Sequence, residues 1–333
     1  MSWTRKRSLA LIIALASCAI VALPGPVSAQ AFYPPNTPKF PQARTWVAQK
    51  AKLPPYKAPR TADGVPNLQG NWGGPVGGGN DDLEEHDYID VTTPPQESYV
   101  SDPADGKVPY TPWALAKRNE IRAGLARGWP GETGRRLYGD PAALCLVGMP
   151  RWSFGAQEII QKPGSVIMLT ANTYRVIPTD GRPHMDPGAK FFFGNARGRW
   201  EGDTLVVDVT GINGETWLDS AGNFYGPNTH MIERWTMVNA NTIDYEITIE
   251  DPTIYTRAWK MNYPKRRAGT LGVAGAGQVA GGATAVGVAG APARNDPYAK
   301  EAWEQTCHEG NADNLEILKK LGFKWFSPVT PPR

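Results

Sequence analysis

Read for alternation, the second half of the chain is a run of half-buried strands. In "TIDYEITIE" Ile243, Tyr245, Ile247 and Ile249 alternate with Asp244, Glu246, Thr248 and Glu250, the period of two that gives a strand one buried and one wet face. "HMIERWTMV" precedes it across Asn239 to Asn241 and forms the other arm of a hairpin, while "SVIMLTANTYRVI" is β-rich and "DTLVVDVTG" follows a Glu201-Gly202-Asp203 turn. No helix intervenes, so the expected fold is mainly β: an antiparallel sheet, closed or strongly curled into a barrel, with peripheral helices.

Helical periodicity is confined to the flanks. "PWALAKRNEIRAGLARG" predicts a helix that starts at Tyr110 or Thr111, with Pro112 in its first turn and Gly128 at its end. "DPYAKEAWEQTCHEGNADNLEILKKLG" predicts two C-terminal helical pieces broken near Gly310. Residues 30–111 lack periodicity and abound in proline and glycine, which predicts an extended arm anchored by Trp46, Leu68 and Trp72. The β-rich domain then spans 112–330, interrupted at 268–293 by "AGTLGVAGAGQVAGGATAVGVAGAPA". That stretch has too little side-chain bulk to anchor itself and reads as a mobile insertion rather than a strand.

The first 29 residues change the picture of compartment. Arg5, Lys6 and Arg7 precede an uncharged apolar run from Leu9 to Leu23, and Val27-Ser28-Ala29 supplies a small-x-small cleavage site, the layout of a signal peptide. Leu15-Ala16-Ser17-Cys18 also has the form of a lipobox, in which Cys18 is acylated and anchors an outer-membrane lipoprotein. Both routes imply a periplasmic or secreted protein, touching a membrane only through Cys18. The chain carries 35 basic and 32 acidic residues, so loss of the three leader cations leaves it neutral. Neutrality argues against nucleic acid as a partner, and Lys265-Arg266-Arg267 reads as a solvated loop. Cys145 and Cys307 are then the only pair available to bridge. In an oxidising compartment a disulfide is expected, worth about 4–5 kcal/mol in the chain-entropy account, with two buried thiols as the alternative.

The motifs "VIPTDGRPH", "GRWEGDTLVVDVTG", "HMIERW", "TIEDPTIYTRAW" and "CHEGN", spread over about residues 140–311, resemble those of a widespread family of secreted bacterial proteins. The resemblance implies that these segments form one domain and that their loops converge. It passes on no catalytic residue. The strand pattern is also similar, at the level of fold alone, to lipocalin-like barrels.

Candidate chemistry centres on the polar loop "DGRPHMDPG". His184 could move a proton near neutral pH, with Asp180 or Asp186 fixing its tautomer and Arg182 facing an anionic group, its imidazole turned into the barrel from the rim; a salt-bridged turn fits the spacing equally well. His230 is a second proton carrier at the start of a strand, whereas His86 and His308 read as solvent-facing. Glu233 shares its strand face with Met231, Trp235 and Met237. If that face is inward, Glu233 is a buried carboxylate: an acid/base group, or one half of an ion pair with Arg175. His230 and Glu233 fall on opposite strand faces, so no metal site is expected, and no cofactor motif is present. Tyr255 and Arg257 suggest an aromatic and basic lip. Trp200 either stacks on a ligand or plugs a barrel end, and twelve tryptophans suit ligand stacking or core packing alike.

The expected function is that of a cofactor-free acid/base enzyme, a lyase, isomerase or hydrolase, with a small organic substrate. His184, His230, Glu233 and Asp180 would be catalytic, and Arg182, Arg175, Tyr255, Arg257 and Trp200 would bind. The alternative is a periplasmic module that holds a small molecule without transforming it.

Overall fold

The computed structural model describes residues 36–74, 82–89, 94–125, 137–144, 146, 148–155, 157–170, 173–268 and a few positions beyond. The N-terminal segment with Cys18, both Cys145 and Cys307, His308 and the expected C-terminal helices, save isolated positions, lie outside the described residues.

One ten-stranded antiparallel sheet organises the chain. Its strands are β1 (Gly70–Gly73), β2 (Val100–Asp102), β3 (Gln157–Lys162), β4 (Ser165–Leu169), β5 (Tyr174–Pro178), β6 (Asn195–Glu201), β7 (Thr204–Thr210), β8 (His230–Asn239), β9 (Thr242–Glu250) and β10 (Trp259–Arg267). They run in the order β5-β4-β3-β1-β10-β9-β8-β7-β6, with β2 also paired to β10. Tight turns set part of this order, at β3–β4, β6–β7 and β8–β9, while β1 is inserted between β3 and β10 and a longer connection joins β7 to β8. Glu201 pairs with Thr204 across the two residues Gly202-Asp203, and Gly202 has the left-handed backbone (φ 60°) such a loop demands. The β8–β9 hairpin closes where Asn239 pairs with Thr242, and the Asn239 side chain accepts the Asn241 N–H at 2.9 Å.

The alternation of β9 is realised as expected: Ile243, Tyr245, Ile247 and Ile249 are buried. Met231, Glu233, Trp235 and Met237 of β8, and Leu205, Val207 and Val209 of β7, are buried as well, and the register pairs Val207 with Glu233 and Glu233 with Ile247. Aromatic rings fill the interior in contact with one another. Tyr99 packs edge-on to Phe154 at 5.1 Å, Phe154 stacks on Tyr263 at 5.1 Å, Tyr263 meets Tyr245 at 5.0 Å, and Tyr245 meets Trp235 at 4.5 Å. Buried Trp46, Trp72, Trp217, Trp235 and Trp259 serve packing.

Several expectations are corrected. The arm is part of the barrel rather than a wrapping: it supplies β1, β2 and a helix α1 (Ala43–Lys50), although Trp46, Leu68 and Trp72 are buried as anchors. The sheet takes these short segments because β10 would otherwise be left with an open edge. The second helix, α2 (Pro112–Ala123), carries Pro112 in its first turn but ends at Gly124, where the Gly124 N–H reaches back to Glu120 O at 3.1 Å. "SVIMLTANTYRVI" is β-rich as expected and forms two strands, β4 and β5. Lys265-Arg266-Arg267 is no solvated loop. It ends β10, and the Lys265 ammonium is buried, donating to Ser153 O at 2.5 Å. His86 is also largely buried, in a bridge with Gln96. The Gly/Ala-rich stretch was expected to hold no strand, yet it contains a minimal ladder of β11 (Gln278–Val279) with β12 (Ala283–Thr284), since backbone pairing requires no side-chain bulk.

The barrel closes where its two terminal strands, β5 and β6, come alongside each other without a hydrogen-bonded ladder. Gly198 makes that approach feasible. A methyl group at this position would stand 2.8 Å from Thr179 Cγ2 and 2.9 Å from Ile177 Cγ2, both on short β-branched side chains that cannot swing away. Gly198→Ala is therefore expected to destabilise the fold by about 1–3 kcal/mol, the usual range for overpacking, read as a lowered chemical-denaturation midpoint. An unchanged midpoint would mean that the seam is not tightly closed at Gly198.

Candidate active site

The outer face of the sheet carries a chain of hydrogen-bonded side chains. Asp208 alternates with Val207 and Val209 on β7 and so faces away from the core. His230 begins β8 directly opposite Glu250 on β9. His184 arrives from the loop after β5. That loop is tied down where Arg197 Nε donates to Pro183 O at 2.7 Å and where the Met185 N–H donates to Asn195 Oδ1 at 3.0 Å. The result is a shared acceptor. Asp208 Oδ1 lies 3.1 Å from His184 Nε2 and 3.2 Å from His230 Nε2. The other ring nitrogens are also engaged: His230 Nδ1 is 2.7 Å from Glu250 Oε1, and His184 Nδ1 is 3.0 Å from Asn195 Oδ1 and 3.2 Å from Thr210 Oγ1.

Protonation follows from these neighbours. Both Nε2 atoms face a carboxylate and so carry hydrogen, and His184 Nδ1 faces Asn195 Oδ1, already fixed as an acceptor by the Met185 N–H, so it carries hydrogen as well. His230 has carboxylates at both nitrogens, which suits the imidazolium. Partial burial pulls its proton affinity down, but the Glu250 and Asp208 carboxylates outweigh this and raise it above the usual histidine value. About a third of each histidine side chain and of Asp208 is open to solvent. Among the described residues, no group of three or more His, Cys, Asp or Glu side chains is arranged to hold a metal ion.

Glu233 belongs to a different site on the inner face. Arg175 Nη2 stands 2.6 Å from Glu233 Oε1, with both side chains almost wholly buried. The contact is poorly aligned as a hydrogen bond and is held chiefly by Coulomb attraction. Trp235 Nε1 and Tyr245 Oη each donate to Glu233 Oε2 at 3.3 Å. Nearby, burial pushes the Lys265 amine down to about 7, against the pull of the Glu233 charge. Arg175 and Glu233 thus occupy each other, the structural-pair alternative of the sequence reading, which removes Arg175 as a ligand contact in this arrangement.

The remaining candidates disperse. The DGRPH loop does not turn into the barrel: His184 lies against the outer face because its partners, Asp208 and Asn195, are there. Asp180 does not orient His184. It is exposed and bound by Arg182, whose Nε donates to Asp180 Oδ1 at 2.9 Å, and that guanidinium holds the carboxyl down at about 2. Such a group carries no proton near neutral pH, and Arg182 is engaged with it. Asp186 accepts the Gly188 N–H at 2.7 Å instead of meeting His184. Tyr255 forms no lip, because it is buried against Trp259 and donates to Phe224 O at 2.8 Å; Arg257 is exposed and paired with Asp102. Trp200 lies in β6, packs partly on the core and lines a cleft of about 140 Å³ with Asp63, Lys162, Ser165 and Thr179. That volume is below the usual range for drug-sized ligands.

Asp208, Glu250, Asn195 and Thr210 were missed. The signal was available in "TLVVDVTG", where Asp208 and Thr210 share the face opposite Leu205, Val207 and Val209. What sequence could not supply is that the His184 loop folds back over that face. Compared with known proteins, the chain matches no family model, no curated protein and no solved structure. Geometry alone carries the chemistry.

Two measurements check this description. Glu233→Ala leaves Arg175 buried without its counter-charge and should cost about 3–5 kcal/mol in denaturant unfolding; a loss under 1 kcal/mol would show that water reaches the pair. His230 binds its proton more tightly folded than unfolded, so its stabilisation is complete below the unfolded value of 6.5 and fades as pH rises through the raised folded value. The stability difference between wild type and His230→Gln should therefore shrink from pH 5.5 to pH 8.5. Taking the difference also cancels Lys265, whose lowered affinity acts with the opposite sign. A difference that grows with pH would refute the assigned charge state.

Proposed function

We propose that this chain is an extracytoplasmic acid/base enzyme for a small organic substrate, with His184 as its proton-transfer residue and Asp208 as the group that orients it. The observation that carries this reading is the 3.1 Å contact of His184 Nε2 with Asp208 Oδ1. A carboxylate on Nε2 supports positive charge on the ring, and Nδ1, which faces Asn195 Oδ1 and the Thr210 hydroxyl, is the atom that would give up or take the proton. His230 sits on the same carboxylate, and its own proton affinity is raised by Glu250 and Asp208 against the effect of its partial burial. The loop geometry supports the reading too, since His184 is fixed through Pro183 and Met185 on either side, and proton transfer needs a rigidly placed group.

The leader-like N-terminus supports the compartment. No helix among the described residues is long and apolar enough to cross a membrane. A second reading, a binding module without catalysis, is favoured by the Trp200 cleft alone, which faces different residues from the histidines.

The test is a turnover screen of the purified protein against short-chain esters, lactones, hydroxy acids and ketones, with retained ligand scored in parallel. The expected result is an activity that falls by roughly two to four orders of magnitude in His184→Gln, with a similar direction in Asp208→Asn and an unchanged melting temperature in both. Wild-type rates in His184→Gln would sink the assignment. Retained ligand with no turnover would favour the binding module.

A further inference from the structure

Among the described residues, the two side chains in contact with His184 Nδ1 are Asn195 and Thr210, and of these only the Thr210 hydroxyl has nucleophilic chemistry of its own. Thr210 Oγ1 lies 3.2 Å from Nδ1, and Nε2 of the same ring lies 3.1 Å from Asp208 Oδ1. Hydroxyl, imidazole and carboxylate are thus in series, the arrangement by which an alcohol is activated. We infer that Thr210, His184 and Asp208 form a nucleophile–base–carboxylate triad on the outer face of the barrel, and that the substrate class is a small acyl ester. The inference rests on the proposed role of His184 and narrows it to a hydrolase.

The backbone holds the three groups in place. Thr210 and Asp208 are two apart on β7 and project from one face, and Thr210 pairs with Asn195 of β6. Beyond Thr210 the chain turns at Gly211 (φ 64°), where the Phe191 N–H donates to Gly211 O at 2.8 Å and Ala189 O approaches so closely that a Cβ would stand 2.6 Å from it. The strand end is thereby clasped by the loop that also bears His184. Thr210 is half-buried.

Asn195 Oδ1, fixed as an acceptor by the Met185 N–H, faces Nδ1 at 3.0 Å, so the resting ring carries hydrogen on both nitrogens; once Nδ1 has given its hydrogen to solvent, its lone pair faces the Thr210 O–H. As Oγ1 attacks the acyl carbon, its proton passes to Nδ1, where Asn195 Oδ1 at 3.0 Å accepts the new N–H and steadies the imidazolium. The bond from the acyl carbon to the leaving oxygen then breaks, and the Nδ1 proton goes to that oxygen. A water molecule next gives a proton to Nδ1 and its oxygen to the acyl carbon. Thr210 Oγ1 departs and recovers the proton, so one ester and one water become one acid and one alcohol.

The experiment uses p-nitrophenyl acetate and butyrate as probes on the full-length mature protein, with p-nitrophenol release followed by absorbance and acid-quenched samples mapped by peptide mass spectrometry. Wild type should show an acyl adduct on Thr210. Thr210→Val, which keeps the β-branched shape, should lose the adduct and at least a hundredfold in rate with an unchanged melting temperature; Thr210→Ser should keep both adduct and measurable turnover. Hydrolysis lost in His184→Gln but kept in Thr210→Val would overturn the nucleophile while leaving His184 as a base that activates water. Hydrolysis kept in both variants would overturn the triad and the proposed function together. No adduct on Thr210 in wild type with either ester also overturns the inference.

Discussion

The ion pair of Arg175 and Glu233 is the interaction on which the rest of the barrel depends. The sheet has two terminal strands, β5 and β6, that meet without a backbone ladder, so closure rests on side chains. Arg175 projects inward from β5 and Glu233 inward from β8, and their attraction draws the terminal strand across the interior toward the middle of the sheet. In a low-dielectric core neither charge is tolerated alone, which makes the position of β5 all but obligatory once β8 is in place. Such a pair contributes little net stability against apolar residues of the same volume, but it specifies one register.

That constraint divides the chemistry between two faces. The inner face is occupied by aromatic rings and by buried charges that satisfy one another: Glu233 with Arg175, and Lys265 with the Ser153 carbonyl. The outer face of the same strands carries Asp208, Thr210, His230 and Glu250, with partial access to solvent. On β8, His230 and Glu233 are three residues apart and so must lie on opposite faces. The protein therefore keeps its charged core and its titratable surface cluster within one strand without their touching.

Much of this was legible in the chain. Alternation in "TIDYEITIE" and "HMIERWTMV" gave strands, faces and hairpin; Pro112 gave the start of a helix; the apolar neighbours of Glu233 gave an inward carboxylate, with Arg175 as its candidate partner. The failures share a cause. β1 and β2 are too short to show a period of two and are strands because neighbouring edges need partners, while the alternation of Trp259, Met261 and Tyr263 in β10 is followed by Pro264 and three basic residues that disguise the strand. Tyr255 looked like a lip residue because Arg257 and Trp259 alternate with it, but the Phe224 carbonyl that holds its hydroxyl comes from a distant segment.

Composition and periodicity by themselves determined the β class, the hairpins and the strand face that Glu233 shares with Met231, Trp235 and Met237, because each depends on residues close together along the chain. Only the tertiary structure decided that His184 meets Asp208 rather than Asp180, that His230 shares the same oxygen, and that Thr210 stands beside Nδ1. Those contacts join residues 22 to 26 positions apart, two of them through a loop folded over a sheet, and a loop's path is set by where its backbone finds hydrogen bonds. In "VIPTDGRPHMDPG" nothing local distinguishes a loop that dips into a barrel from one that lies along its wall; Asn195 and Arg197, holding Met185 and Pro183 from the next strand, make that choice.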